Sequence, residues 1–390
     1  MTIKLYDENA YEIYFSAKVI SCKATEKEGI FDLIVDKTLF FPEEGGQTPD
    51  KGEITSGDKK GNVLDVQIKD EVIHHFVDTS FEEGSEVSGV IDFKHRYSNM
   101  QQHTGEHIFS GIVNSKKGYD NVGFHLSDSI VTMDYSGPLT EDELSEIELL
   151  VNRAIYENCD VIARYPDKEE LDKLDYRSKK ELKGAIRIVT VDGYDVCACC
   201  APHVRKTGEI GILKIISAQN YKGGTRVSIL CGERALKFLK SEHDLLNNTA
   251  LKLSTSWDNI PAVIKKQQDE IAELKMALGK ASEQLLEIEL AKVPADKKNV
   301  LLFADDNADP NVIRRVVNKA VSERDGYCSI FWGNDADGYK FIIGIKEGNC
   351  SDLLKDMREH FEVRGGGKPL MVQGSASCKR GELEEYYERV

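Results

Sequence analysis

The sequence predicts a multidomain α+β protein, and three observations carry that expectation. Short segments of alternating hydrophobicity, broken by glycines, fill residues 1–92. Helical and strand-like periods then mix through residues 93–232, and a long heptad pattern follows in 233–296. At 390 residues the chain also exceeds the usual size of one domain.

The elements follow in order. Ala17–Ser21, Phe31–Val35, Val63–Lys69 and Val87–Phe93 show alternation or β-branched enrichment. Gly45-Gly46, Gly57, Gly61 and Gly84 punctuate them, so a small β-barrel is the natural assembly for 1–92. From Lys94 to about Gly118, Met100, His103, His107 and Ile108 recur at helical spacing. A second helix is expected from Thr140 to Asn158. Thr140 is its N-cap, Glu143 completes a capping box, and Leu144, Ile147, Leu150, Val151 and Ala154 form its buried stripe. Strands are expected at Ala185–Val191, Ile210–Gln219 and Arg226–Cys231, which makes 93–232 a mixed α+β domain.

Residues 233–296 read as an almost continuous helical arm, with Pro261 placed where a helix can restart and Pro294 ending it. Ile264, Gln267, Ile271, Leu274, Leu278, Ala281, Leu285 and Ile288 form a heptad seam that needs a partner helix. The tail, 297–390, reads β-α-β-β-α and then a final helix. Its strands are Val300–Ala304, Tyr327–Trp332 and Lys340–Ile345, its helices about 310–324 and 351–361, and it forms a small α/β domain.

With 41% hydrophobic and 30% charged residues the chain can bury substantial cores. No apolar run approaches the ~20 residues of a membrane span. The opening MTIKLYDENAYE lacks the basic and apolar regions of a signal peptide, so a cytoplasmic protein is expected. Nine cysteines, three of them crowded at Cys197, Cys199 and Cys200, suit a reducing compartment with free thiols or metal ligands. A net charge of −16 argues against a protein that coats nucleic acid, though local basic surfaces remain open. One candidate stretch runs through Arg164, Lys168, Lys173, Arg177, Lys179, Lys180, Lys183 and Arg187; another holds Arg364, Lys368, Lys379 and Arg380.

The chemistry concentrates in two short motifs. His103-Thr-Gly-Glu-His107 puts two imidazoles on one helix face, close enough to share an ion. Cys199-Cys-Ala-Pro-His203 repeats that spacing with a thiol and an imidazole. One Cys and three His form a nitrogen/sulfur set that favours one zinc ion per chain over magnesium or calcium. Cys197 or Cys200 could replace Cys199, although the spacing to His203 favours Cys199. Four protein ligands also suit a zinc that only staples the fold. Glu106 lies in the wrong register for a zincin-type HExxH base. The loop Thr38-Leu-Phe-Phe-Pro-Glu-Glu-Gly-Gly-Gln47 reads as a tight turn whose backbone can approach a ligand, with Thr38 and Gln47 as polar contacts. Gly365-Gly366-Gly367 lacks the Lys-Ser/Thr of a P-loop.

In order and spacing, this loop and the two metal motifs resemble the editing domain of alanyl-tRNA synthetase, found also in free-standing alanyl-tRNA editing proteins. Val122-Gly-Phe-His-Leu126, the run Val196–Gly211, Tyr221-Lys-Gly-Gly-Thr-Arg226 and Cys231-Gly-Glu-Arg-Ala235 extend the likeness. Val363–Ala376 resembles the glycine-rich signature of that synthetase's DHH-associated C-terminal domain. The chain begins with the barrel and has no aminoacylation domain before it, so it resembles the long free-standing form. The resemblance implies four parts: barrel 1–92, zinc-binding editing (deacylase) domain 93–232, coiled-coil-like arm 233–296 and C-terminal domain 297–390. It implies hydrolysis of tRNA(Ala) mischarged with serine or glycine, with Thr38, near Gln47, reading the serine hydroxyl and His125 a further pocket candidate. Lys222, Arg226, Arg364 and Lys368 become phosphate contacts, and a homodimer through the arm or C-terminal domain is expected. A related editing domain in threonyl-tRNA synthetase leaves Ser-tRNA(Thr) as an alternative substrate, and a non-catalytic tRNA-binding module with a structural zinc as another. Glu44 and Cys200 stand where the family usually has glycines, and Ala201-Pro202 where the synthetase has a glycine and a threonine.

Overall fold

The structure is a computed structural model that describes residues 1–178 and 185–390. Lys179, Lys180 and Lys183 of the first basic stretch lie outside the described residues. By contacts the chain divides into two units, Met1–Leu246 and Asn247–Val390. Both combine sheets with helices, so the fold is multidomain α+β. No helix among the described residues is long and apolar enough to cross a membrane.

The first unit opens with a closed six-stranded barrel. Its strands are β1 (Tyr14–Ala24), β2 (Phe31–Val35), β3 (Gly52–Ser56), β4 (Lys59–Lys69), β5 (Val72–Val77) and β6 (Glu86–Ile91), in the spatial order β1-β2-β5-β4-β3-β6. Alternate side chains such as Leu33, Val35, Ile54, Val66, Ile73 and Val77 point inward and are buried. β3 and β5 escaped the sequence reading. Gly52 breaks the pattern at the start of one, and His74 and His75 interrupt the apolar alternation of the other.

Helix α1 (Phe93–Lys117) follows directly, so Phe93 begins a helix and does not end a strand. Asp92 caps it by accepting the His95 N–H, and Gly118 closes it in the left-handed region at φ 69°. Arg96, fully buried in its first turn, ties it to the barrel. Its guanidinium pairs with Asp50 and donates to the Leu39 and Ala10 carbonyls. Asp50 in turn accepts the Phe41 N–H at 2.6 Å.

A short parallel pair, Ile3–Lys4 with Lys37–Thr38, and two larger sheets complete this unit. One takes β7 (Asn121–Leu126), β8 (Val131–Tyr135), β12 (Leu213–Tyr221) and β13 (Gly224–Cys231) in the order β12-β13-β8-β7. The other is β9 (Val161–Arg164), β10 (Ile188–Val191) and β11 (Asp195–Ala198). α2 (Glu141–Glu157) has the expected capping box between Thr140 and Glu143, and it buries Leu144, Ile147, Val151 and Ala154. A second core gathers around α1, α2 and the four-stranded sheet; Cys199 packs against both this core and the barrel's.

The helical stretch is α3 (Gly232–Lys252) and α4 (Ile260–Lys292), the second restarting as expected with Pro261 in its first turn, where its φ fits. In the second unit, β14 (Val300–Ala304), β15 (Cys328–Asn334), β16 (Gly338–Gly344), β17 (Glu362–Lys368) and β18 (Met371–Ser377) form one sheet ordered β14-β15-β16-β18-β17. Only β14 and β15 pair in parallel. α5 (Pro310–Glu323), α6 (Cys350–His360) and α7 (Arg380–Arg389) pack against it. The sequence pattern missed β17 and β18. The three glycines of β17 supply no side-chain alternation, yet Gly365, Gly366 and Gly367 pair with Gly374, Gln373 and Val372 on the sheet edge.

Candidate metal centre

α1 delivers His103 and His107 from one face, and the loop after β11 delivers Cys199 and His203. Two glycines let α1 come this close. A Cβ on Gly105 would lie 2.4 Å from the Cys231 sulfur of β13, and one on Gly111 would lie 2.3 Å from the Tyr194 carbonyl. The four donor atoms lie within 4.8 Å of one another. Cys199 Sγ is 3.5 Å from His103 Nε2 and 3.4 Å from His203 Nε2. A tetrahedral zinc with ordinary bond lengths would hold nitrogen and sulfur ligands about 3.6 Å apart, so the donor set fits the ion in kind and in spacing.

The far side of each imidazole is also occupied. His103 Nδ1 lies 2.8 Å from Gln47 Oε1, His107 Nδ1 2.9 Å from Asp195 Oδ2, and His203 Nδ1 3.0 Å from Thr104 Oγ1. With the proton on each Nδ1, every Nε2 turns a lone pair inward, the arrangement that metal-ligating histidines adopt. Asp195 is itself held by Arg177, at 2.7 Å through Nε and 2.9 Å through Nη2.

The electrostatics separate the three thiols. Burial opposes a charged Cys199, but the neighbouring imidazoles, His103 foremost, hold it well below the usual thiol range. Burial pushes the Cys197 and Cys200 thiols up, so both stay protonated. Burial also disfavours a charged His107, yet the Asp195 carboxylate and Cys199 sulfur outweigh it and lift the imidazole to about 9. His203 is pulled down to about 3 by burial, with Cys199 opposing. His107, Asp195 and Cys197 also converge, but Asp195 is engaged on both oxygens by Arg177 and His107.

The loop expected to approach a ligand lies beside this cluster. Gly45 and Gly46 have φ of 63° and 84°, and Gln47 N–H closes the turn onto the Glu44 carbonyl at 3.1 Å. A Cβ on Gly46 would sit 2.5 Å from the Phe124 carbonyl, and one on Gly45 3.5 Å from the Cys200 sulfur. Phe124 lies over His103, with ring centroids 4.7 Å apart. Gln47 thus reaches the cluster as a holder of His103, and its Nε2 is buried with no hydrogen-bond partner among the described residues.

Thr38 is fully buried, and its hydrogen bonds run to the barrel. Its Oγ1 lies 2.9 Å from His75 Nε2 and accepts the Phe40 N–H at 3.1 Å. His125 is exposed on β7. Glu106 is buried in a network with Ser110 and Asn121. Arg226 forms a two-point pair with Asp134 and lies 3.8 Å from the Tyr221 ring, while Lys222 sits exposed at the hairpin tip. Arg364 and Lys368 are exposed on β17. Within the first basic stretch, Arg164 pairs with Glu170 and Arg177 with Asp195. Sequence reasoning missed Asp195 and Thr104, and placed Arg177 in a basic stretch without its role of holding Asp195. Thr104, inside HTGEH, is visible as a polar residue on the helix of His103 and His107; Asp195 carries no local pattern.

Residues 6–95 match the family described as tRNA synthetases class II (A), and residues 186–228 match the second additional domain of threonyl and alanyl tRNA synthetases. The alanine–tRNA ligase of Ignicoccus hospitalis is 30% identical over 379 residues, covering 94% of this chain and 40% of the ligase. That of Methanopyrus kandleri is 26% identical over 401 residues, 98% of this chain and 43% of the ligase. The chain is homologous to alanyl-tRNA synthetase. It spans well under half the length of these ligases. Against the alanyl-tRNA editing protein AlaX-L of Pyrococcus horikoshii the match is end to end. The two are 26% identical over 411 residues, 98% of this chain and 96% of that protein. Residues 6–95 include the barrel and 186–228 include the Cys199–His203 loop, while His103 and His107 of α1 lie between the two matched segments.

Proposed function

We propose that this synthetase homologue is a free-standing, zinc-dependent hydrolase that deacylates tRNA(Ala) mischarged with serine or glycine. The observation that carries the reading is the convergence of His103, His107, Cys199 and His203, each imidazole backed at Nδ1, in a chain similar along its length to an alanyl-tRNA editing protein. In this reading those four residues hold the ion, and the four-part division into barrel, editing domain, arm and C-terminal domain applies. Zinc bound there would supply Lewis acidity beside the ester carbonyl.

The chain's own groups have definite tasks. Gln47 Oε1 fixes the His103 ring, while its unpartnered Nε2 can donate to the carbonyl oxygen as charge develops on it. An aminoacyl ester is already activated, so orientation of water and substrate suffices without a nucleophilic side chain. Thr38 uses its proton on His75 and one lone pair on the Phe40 N–H, so it would read the serine hydroxyl as an acceptor. Lys222, Arg364 and Lys368, all exposed, would meet phosphates. Ile271, Leu274, Leu278 and Leu285 of α4 are exposed and support a homodimer through the arm. A cytoplasmic setting follows from the substrate.

The four-ligand set equally favours a second reading, in which zinc only staples the fold of a tRNA-binding module. A deacylation assay with Ser-, Gly- and Ala-charged tRNA(Ala), repeated with Ser-tRNA(Thr), tests both. Release of serine from Ser-tRNA(Ala) well above buffer supports the hydrolase. No release from any of them leaves the binding module, and release from Ser-tRNA(Thr) alone moves the substrate to the threonine system.

A further inference from the structure

Two buried polar atoms without a hydrogen-bond partner among the described residues, on Tyr6 and Glu44, have no task in anything above. Tyr6 is 2% exposed, its ring meets Phe41 edge-on at 5.4 Å, and its hydroxyl is the first of these atoms. Glu44 Oε2 is the second. Glu44 stands next to Gly45, on which a Cβ would lie 3.5 Å from the Cys200 sulfur, and the negative charge of Glu44 helps to raise both the Tyr6 hydroxyl and the Cys200 thiol. Arg187 nearby is already used. Its Nη1 donates to the Cys199 and Ala201 carbonyls at 3.1 and 2.8 Å, and its Nε faces Asp7 at 3.6 Å. Asp7 also accepts the Tyr165 hydroxyl at 2.9 Å.

The unpartnered carboxylate and the metal ligands share one turn. Glu44 begins the turn that ends at Gln47, the holder of His103, and Gly45 rests on Cys200, the neighbour of Cys199. A buried carboxylate oxygen without a donor is costly, and folded proteins keep such atoms where something else satisfies them. Arg187 is taken up by Asp7 and two carbonyls, so the unpartnered Glu44 oxygen suits a cation with hydrogen-bond donors and not an anion.

We propose that Glu44 is a specificity-determining residue that pairs with the α-ammonium of the aminoacyl group, with the Tyr6 hydroxyl beside it as a neutral partner. This rests on the deacylase reading and deepens it. An amino acid whose nitrogen is acylated has neither the charge nor the donors, so the site turns away N-blocked esters, peptidyl-tRNA among them.

The test is calorimetry on the zinc-loaded full chain with 3′-(L-seryl)amino-3′-deoxyadenosine, its glycyl counterpart and its N-acetyl derivative. The wild type is expected to bind the free amine at least about tenfold more tightly than the N-acetyl probe. Glu44→Gln, nearly isosteric, should shrink that ratio below about threefold and leave the seryl-to-glycyl ratio unchanged. Tyr6→Phe should narrow it partially, and it carries the test if Glu44→Gln fails to fold. An unchanged acetyl ratio in both variants overturns the proposal. So does a changed seryl-to-glycyl ratio with the acetyl ratio intact, since Glu44 would then read the side chain. If the wild type binds none of the probes and releases no serine, the deacylase reading falls and this proposal with it. Serine release by the wild type with an unaffected acetyl ratio removes this proposal alone.

Discussion

Thr38 and His75 form a closed pair inside the barrel. His75 Nδ1 lies 3.1 Å from the Leu33 carbonyl, which fixes its proton there and leaves Nε2 to accept from Thr38. Thr38→Val removes that donor and the acceptor of Phe40 N–H together. It is expected to cost about 1–3 kcal/mol of stability and to weaken discrimination between Ser- and Ala-tRNA, whereas Thr38→Ser should retain both. Urea unfolding and the paired deacylation rates measure these. Burial holds the His75 imidazole down at about 4. Between that value and the ordinary 6.5 the unfolded chain binds more protons than the folded one. His75 therefore weakens the fold as the pH drops through that window, by about 3 kcal/mol in full, and leaves it unaffected above. Unfolding midpoints from pH 7 to 4 should show this slope, and His75→Gln should flatten it. His103 and His107 were legible because i, i+4 spacing makes one helix face visible in the sequence, and Cys199 and His203 because the loop after β11 repeats that spacing. Asp195, which orients His107, was not, because its partner stands 88 positions away. Gln47 was noticed for its place in the loop, but its bond to His103 depends on how the barrel meets α1.

At the scale of elements, α1 is the part on which the site depends. Its bounds were legible from caps and period, but its depth was not. The two glycines that allow it to touch β13 and the Tyr194–Asp195 turn look, in sequence, like weak points of a helix. Gly111→Ala pushes against the turn that carries Asp195, and it is expected to lower zinc affinity about tenfold or more. Gly57→Ala, with open space around it but φ of 57°, should leave zinc affinity unchanged. Competitive zinc titration of the two variants separates local strain from disturbance of the site. The edge strand β17 gives the opposite lesson. Its glycines carry no period, so only backbone pairing reveals it as a strand.

Over the whole molecule, the two units offer separable readouts. All four proposed ligands lie in Met1–Leu246, whereas both tryptophans, Trp257 and Trp332, lie in Asn247–Val390. Chelation of zinc should therefore lower the unfolding midpoint seen by circular dichroism and leave the tryptophan-fluorescence transition in place; a common shift of both would refute independence. Asp50→Asn should act on the same first unit, since it strands the buried Arg96 guanidinium, and a loss of about 3–5 kcal/mol is expected. The separation of the ligands along the chain also has a consequence for synthesis. His103 and Cys199 stand 96 positions apart. At ribosomal rates of about 5–20 residues per second, the first histidine pair emerges on the order of 5–20 s before the thiol that joins it. During that interval the finished barrel and the nascent α1 carry two imidazoles awaiting a metal. If the four residues hold zinc as proposed, the nascent protein becomes competent for it abruptly, once His203 clears the ribosome, and long before its C-terminal sheet exists.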